Sequence, residues 1–336
     1  MTRRRRQSAW TKSLERSFVS LTRRVMKSGT RRLTAALKTS LRKSTAPPGD
    51  GTWTPGVAVG SAGMRRFWLY RPPHVASGER LPLLVMLHGC RQDANAFATS
   101  TRMNRTASRE RFLVLYPEQD LLANPQGCWN WFDTASGRAQ NEVALIMAAV
   151  DQICLMHPVD RARIAIAGLS AGASMAALVA LLHPDRFQAV AMHSGVPPGA
   201  AHSTMTALGA MRGRRVTKPL LAAPVALVAA WPSLLVIHGQ ADAVVSPQNG
   251  LACAQGWAGG VGARATQARR VQRGKRYAMS VTDFKRKGST VVSLVEVDRL
   301  AHAWSGGAAN KAHSDPQGPD ASRMVWAFVA KQFCPA

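Results

Sequence analysis

Short, largely apolar runs recur along this 336-residue chain, and helical stretches separate them. Leu81 to Leu87 ends in His88-Gly89, Phe112 to Tyr116 in Pro117, and Arg163 to Ala167 in Gly168. Arg66 to Tyr70, Phe187 to Met192, Ser233 to Ile237 and Val291 to Val297 repeat the pattern. Between and after them, Gln140 to Met156, Met175 to Leu182 and Ala321 to Phe333 space their apolar residues as helices do. A strand that is apolar on both sides needs cover on both sides, and the helices between parallel strands supply it. The expected fold is therefore α/β, with a mostly parallel central sheet and helices on both faces.

The first 45 residues differ in character. They hold 14 of the 44 Lys and Arg but only one of the 18 acids, Glu15, and so carry half of the net charge of +26. Phe18, Leu21, Val25, Met26, Leu33, Leu37 and Leu41 fall at helical spacing among the arginines, which predicts a basic, partly helical tail. Such a tail suits an anionic granule or membrane surface. Thr45 to Gly63 is rich in Pro and Gly and reads as a linker. The expected division is a tail and linker over residues 1–63 and a folded domain over 64–336. Nucleic acid would also attract the charge. The basic residues do not alternate with stacking aromatics, however, and no nucleic-acid motif is present, so no specific nucleic-acid partner is expected. No apolar run follows Arg3 to Arg6, so no secretory leader is expected. The longest mostly apolar stretch, Leu220 to Ile237, is broken by Pro224 and Pro232, which argues against a membrane helix.

Chemistry enters at Gly168-Leu169-Ser170-Ala171-Gly172. This G-x-S-x-G lies between an expected strand and an expected helix, the context of a nucleophile elbow. A serine nucleophile needs a base, and the base needs an orienting carboxylate; in this arrangement the chain order is Ser, acid, His. Asp242 follows the run ending Ile237-His238-Gly239, and His302 follows the run Val291 to Val297. Each would lie in a loop at the carboxyl end of a strand, where open α/β sheets carry their sites. Asp298, Asp315 and His313 are the rivals. His238 precedes Asp242 and His193 ends the strand after the nucleophile helix; both are expected to be structural. The expected oxyanion donors are the backbone N–H groups of Ala171, next to the nucleophile, and of Cys90, in the loop after the early strand. Neither H-E-x-x-H, H-x-H nor C-x-x-C occurs, so no metal or other cofactor is expected.

These stretches together resemble the poly(3-hydroxybutyrate) depolymerase family of α/β-hydrolase esterases, which is related to feruloyl and acetylxylan esterases. The matching segments are Leu87 to Gln92, Tyr116 to Gln119, Cys128 to Phe132, Gly168 to Ala173, Ile237 to Asp242 and His302 to Gly307. They run in order over roughly residues 64 to 334. The resemblance implies an α/β-hydrolase fold with Ser170 as nucleophile, Asp242 as orienting acid and His302 as base. It implies hydrolysis of short-chain polyhydroxyalkanoate polyester or oligomers without a cofactor, with feruloyl or acetyl carbohydrate esters as the alternative. It also suggests an extracellular setting, against which stands the missing leader, so a cytoplasmic or granule-bound protein is the other expectation. Trp129, Trp131 and Trp304 are candidates to line an acyl groove, with core packing as the alternative for each. The segment Ala200 to Trp231 lies where such folds place a lid. Cys154 reads as a buried free thiol, and a Cys90–Cys128 bridge is one expectation among pairings that the sequence leaves open.

Overall fold

The computed structural model describes residues 46–214 and 231–333. The basic tail over 1–45, half of Ala200 to Trp231 (residues 215–230) and Cys334 lie outside the described residues. Two antiparallel strands come first, β1 (Thr52–Gly60) and β2 (Gly63–Arg71), followed by β3 (Leu81–Leu87). Helices α1 (Ala94–Thr101) and α2 (Met103–Glu110) lead to β4 (Leu113–Pro117), and α3 (Arg138–Met156) leads to β5 (Val159–Leu169). Next come α4 (Ala171–Leu182), β6 (Ala189–His193), α5 (Thr204–Met211), β7 (Ser233–Gly239) and α6 (Gln248–Gly260). The short strands β8 (Arg264–Ala265) and β9 (Arg269–Val271) precede β10 (Met279–Arg286) and β11 (Ser289–Val297). A two-residue pair, β12 (Trp304–Ser305) and β13 (Ser314–Asp315), precedes the last helix, α7 (Ala321–Gln332).

The main sheet has 11 strands in the order β1-β2-β4-β3-β5-β6-β7-β11-β10-β8, with β9 also on β10. Its middle, from β4 to β11, is parallel; β2 and β1 close one side antiparallel, and β10 closes the other. Every residue of β3, β4 and β6 is buried. Alternation along β3 divides the core in two. Leu83, Val85 and Leu87 point to a layer with Val143 of α3, Met175 of α4 and Trp257 of α6. Leu84 and Met86 point to the other, with Phe97 of α1, Met103 of α2 and Val325 of α7. No helix among the described residues is long and apolar enough to cross a membrane.

One expectation is corrected here. The stretch read as a linker contains β1, paired along its whole length with β2. Its composition hides it because it is an edge strand, largely exposed, which tolerates Pro55. Gly56 is needed for packing: a Cβ there would come within 2.3 Å of the Phe67 ring.

Candidate active site

The path from β5 into α4 turns at Ser170, with φ 56° and ψ −122°. This is the left-handed half of the map, costly for a residue with a side chain. Two glycines make the turn sterically feasible. A Cβ on Gly168 would sit 2.3 Å from the Gly172 carbonyl carbon, and one on Gly172 would sit 2.2 Å from the Leu87 carbonyl oxygen. The turn is held where it is by the Ser170 N–H, which donates to His193 O at 2.8 Å.

Asp242 and His302 come from the loops after β7 and β11, which are adjacent parallel strands. Gly239 lets the two loops touch, because a Cβ there would lie 2.1 Å from Leu300 O. The Ala241 N–H donates to the same carbonyl at 3.1 Å. As a result His302 Nδ1 lies 2.7 Å from Asp242 Oδ2, and His302 Nε2 lies 2.9 Å from Ser170 Oγ. The other carboxylate oxygen, Oδ1, accepts the N–H groups of Val244 and Val245, each at 2.9 Å. Burial alone would raise the Asp242 pKa. Bonds to His238 and His302, the charge of His302 and the Val245 N–H outweigh it and hold the carboxyl well below its usual range. Of the rivals, Asp298 pairs with Arg270 and Asp315 accepts the Gln317 N–H, and it is the His302 ring, not that of His313, that bonds to Asp242 and Ser170.

Two further histidines hold the loops around these three residues. His193 Nε2 accepts the Ser305 N–H at 3.1 Å, and its ring stacks on Trp304. Burial pushes its pKa down to about 3, so it is neutral. His238 Nε2 bonds to Val245 O at 2.9 Å and lies 3.5 Å from Asp242 Oδ2.

The expected oxyanion donors flank Ser170. Ala171 opens α4, so its N–H is among those that a helix start leaves without an intrahelical partner. In the loop after β3, Gly89 N–H donates to Gln92 Oε1, Arg91 N–H to Gln126 O and Gln92 N–H to Gly89 O. The Cys90 N–H between them takes no partner among the described residues. His88 fixes this loop. Its Nε2 accepts the Gln119 N–H at 3.0 Å, which leaves Nδ1–H to donate to Gly89 O at 2.8 Å. Burial lowers its pKa to about 4. A disulfide joins Cys90 to Cys128, while Cys154 and Cys253 are buried free thiols.

Trp129 and Trp131 line a cavity of about 250 Å³ that opens onto Ser170 and is walled opposite by Ala207, Leu208 and Met211. Helix α5 thus occupies the first part of the expected lid segment. Trp304, expected beside the other two tryptophans, is not at the cavity. It is fully buried, edge-on to Phe97, with its indole N–H on Ser322 Oγ. The core claims it because its neighbours on both sides, His193 and Phe97, belong to the layer under α1 and α7.

A polar cluster behind the tryptophan wall has no counterpart in the sequence patterns. The buried Glu142 carboxylate accepts from Gln119 Nε2 at 2.7 Å, Asn130 Nδ2 at 2.6 Å and Asn130 N–H at 2.9 Å. Arg65, also buried, donates to Gln119 Oε1 at 2.5 Å and lies over the Trp129 ring. Gln119 and Asn130 lie in segments that carry the family resemblance, but no spacing in the sequence links them to Glu142 or Arg65. Among the described residues no group of three or more His, Cys, Asp or Glu is placed to hold a metal ion.

The sequence model of the family described as Esterase PHB depolymerase matches residues 66–280, more than half of the chain. The chain belongs to this family. Among curated members and relatives, poly(3-hydroxyalkanoate) depolymerase C of Paucimonas lemoignei is 33% identical over 194 residues, 52% of this chain and 44% of that protein. Acetylxylan esterase A of Emericella nidulans is 27% identical over 209 residues, 57% of this chain and 66% of that protein. The match thus spans about half to two thirds of these relatives' lengths. Among solved structures, an acetyl xylan esterase from Aspergillus awamori superposes with TM-score 0.62 at 17% identity, covering 84% of this chain and all of that one. A ferulic acid esterase gives TM-score 0.55 at 14% identity, covering 85% and 100%. These likenesses assign the α/β-hydrolase fold to this PHB depolymerase family member.

Proposed function

We propose that this chain is a serine esterase that hydrolyses short-chain polyhydroxyalkanoate (3-hydroxybutyrate) polyester or its oligomers through an acyl-enzyme. The observation that carries the reading is the position of His302, 2.9 Å from Ser170 Oγ through Nε2 and 2.7 Å from Asp242 through Nδ1. In this reading His302 Nε2 takes the Ser170 proton as Oγ attacks the ester carbonyl. The oxyanion that forms is met by the N–H groups of Cys90 and Ala171. Collapse expels the alcohol, which takes the proton from His302. Water then attacks the acyl-enzyme with His302 as base, releasing the acid and restoring Ser170. Asp242, held ionised, keeps the proton on Nδ1 and stabilises the imidazolium.

The choice of a hydroxyalkanoate rests on the wall of the cavity and on the depolymerase relative. Trp129, Trp131, Ala207, Leu208 and Met211 offer apolar surface to an acyl chain, and Asn124, Gln126, Ser174 and Thr204 are the polar groups beside Ser170 in the same lining. The second reading, an acetyl or feruloyl carbohydrate esterase, draws on the acetylxylan esterases among the relatives. The Cys90–Cys128 bridge supports work in an oxidising compartment. Residues 1–45 are proposed to hold the protein on an anionic granule or membrane surface.

A panel of 3-hydroxybutyrate oligomers, p-nitrophenyl butyrate, acetylated xylan and feruloyl esters tests both readings with wild type and Ser170→Ala. The expected result is cleavage of the oligomers and loss of at least about 10³-fold in kcat on Ser170→Ala. Undiminished turnover by Ser170→Ala would sink the mechanism, and preference for acetylated xylan would transfer the substrate to the second reading.

A further inference from the structure

The domain carries positive charge that ester chemistry does not need, and part of it is gathered at one place. Arg102, Arg105 and Arg109, from the start and one face of α2, line a cavity of about 200 Å³ together with Arg276 and Arg323. Asp320 is the one carboxylate in its wall, and it is already in use as the N-cap of α7, accepting the Arg323 N–H. Elsewhere some exposed arginines pair with acids, as Arg66 does with Glu118, Arg111 with Glu79, Arg163 with Asp160 and Arg269 with Asp283, and others, such as Arg80, Arg161, Arg264 and Arg286, stand singly among the described residues. Among the described residues Arg105, Arg276 and Arg323 pair with none.

Two of the guanidinium groups are fixed in advance. Arg276 Nη1 donates to Gly318 O at 2.6 Å, and Arg102 Nη2 donates to Gly306 O. A helix start adds partial positive charge, since Ser322 and Arg323 in the first turn of α7 also line the cavity. Five cations from three separate parts of the chain line one cavity, against Asp320 in its wall and Glu110, which pairs with Arg109, and an anion would offset the excess of positive charge. The cavity is smaller than the ~300–1,000 Å³ that holds a drug-sized ligand, which suits a compact group. Planar guanidinium forks match phosphoryl oxygens two at a time.

We propose that this cavity, behind the His302 loop and apart from the esterase site, binds a phosphoryl group. An adjoining cavity of about 280 Å³ shares Arg276, Asp320 and Arg323 and adds an apolar floor of Met279 and Met324. A phosphate bearing an apolar substituent would lay that substituent there, so a lipid headgroup and free phosphate are the two sources of the same chemistry.

The test uses the full chain and the double variant Arg105→Gln/Arg323→Gln. Arg102 is left intact because it also bonds to the loop that carries His302. Inorganic phosphate is titrated calorimetrically at constant ionic strength, and phosphatidylcholine vesicles with and without phosphatidylglycerol are co-sedimented with the protein. Wild type is expected to take up one phosphate per chain saturably, and the variant to bind about tenfold more weakly. The Arg105→Lys/Arg323→Lys protein should recover part of the loss, and an unchanged thermal midpoint shows that neither variant is misfolded. Loss confined to the vesicle arm assigns a lipid headgroup; loss confined to the phosphate arm assigns a soluble phosphate. Equal binding by wild type and the glutamine variant in both arms, or no saturable binding in either, overturns the proposal.

Discussion

Glu142 holds Asn130 at two points: Oε2 accepts its backbone N–H at 2.9 Å and Oε1 its side-chain amide at 2.6 Å. Asn130 follows Trp129, so the carboxylate on α3 sets the position of the cavity wall. All three groups that point at Glu142 are donors, and only a carboxylate accepts from all of them. Glu142→Gln would bring an NH₂ against a donor. The expected cost is about 2–4 kcal/mol, or a thermal midpoint lower by roughly 5–10 °C, together with a fall in kcat/KM for p-nitrophenyl butyrate. Calorimetry and ester kinetics on the purified variant check this, and an unchanged midpoint would refute it.

Ser170 occupies its turn against its own backbone preference. Replacement by glycine removes the conflict along with the hydroxyl. Ser170→Gly is therefore expected to lose ester hydrolysis while gaining about 1–2 kcal/mol of stability. A chemical-denaturation midpoint below that of wild type would contradict this account of the strain.

Acid should weaken the fold through two histidines far from the surface. His88 and His193 are neutral in the folded protein, with pKa values lowered to about 4 and about 3, and an unfolded histidine takes up its proton near 6.5. Below 6.5 the unfolded chain binds more protons than the folded one, so stability is complete above that pH and declines below it. The decline is up to roughly 1.4 kcal/mol per pH unit for each residue, continuing to about pH 4 for His88 and pH 3 for His193. The depressed Asp242 carboxyl adds a loss in the same direction, starting only below the usual carboxylate range. Urea midpoints at pH 7, 6 and 5 measure the histidine part; His88→Gln should flatten the slope.

The disulfide joins cysteines 38 positions apart. Loop closure of that length in the unfolded chain is worth about 3–4 kcal/mol. The link also ties the proposed oxyanion donor to the segment bearing Trp129. Reduction, or Cys128→Ser, is expected to lower the guanidinium midpoint and to reduce kcat more than it raises KM. Equal kcat in the oxidised and reduced protein would separate the bond from catalysis.

How much of this was legible in the sequence follows from how local each feature is. The elbow could be read because its two glycines answer to contacts within five residues and against one neighbouring strand. Asp242 and His302 could be placed because each follows an apolar run that can only be a buried strand. β1 was hidden because an exposed edge strand needs no apolar pattern. β10, α1 and α2 carry mixed faces with no clean period. Glu142 and Arg65 were invisible for a different reason: their partners are brought together by the fold from residues 65, 119, 130 and 142, with no spacing to betray them. Trp304 looked like Trp129 and Trp131 in composition and differs only in which side of the sheet it falls on.

Ser170, Asp242 and His302 hang from the carboxyl ends of β5, β7 and β11, which with β6 are four consecutive strands in the middle of the sheet. Local openings of a protein begin where backbone bonds are few and exposed, here at β1 and at the β8 and β9 margin. None of these frays reaches the three residues. The three residues are therefore expected to stay assembled until the middle of the sheet itself opens.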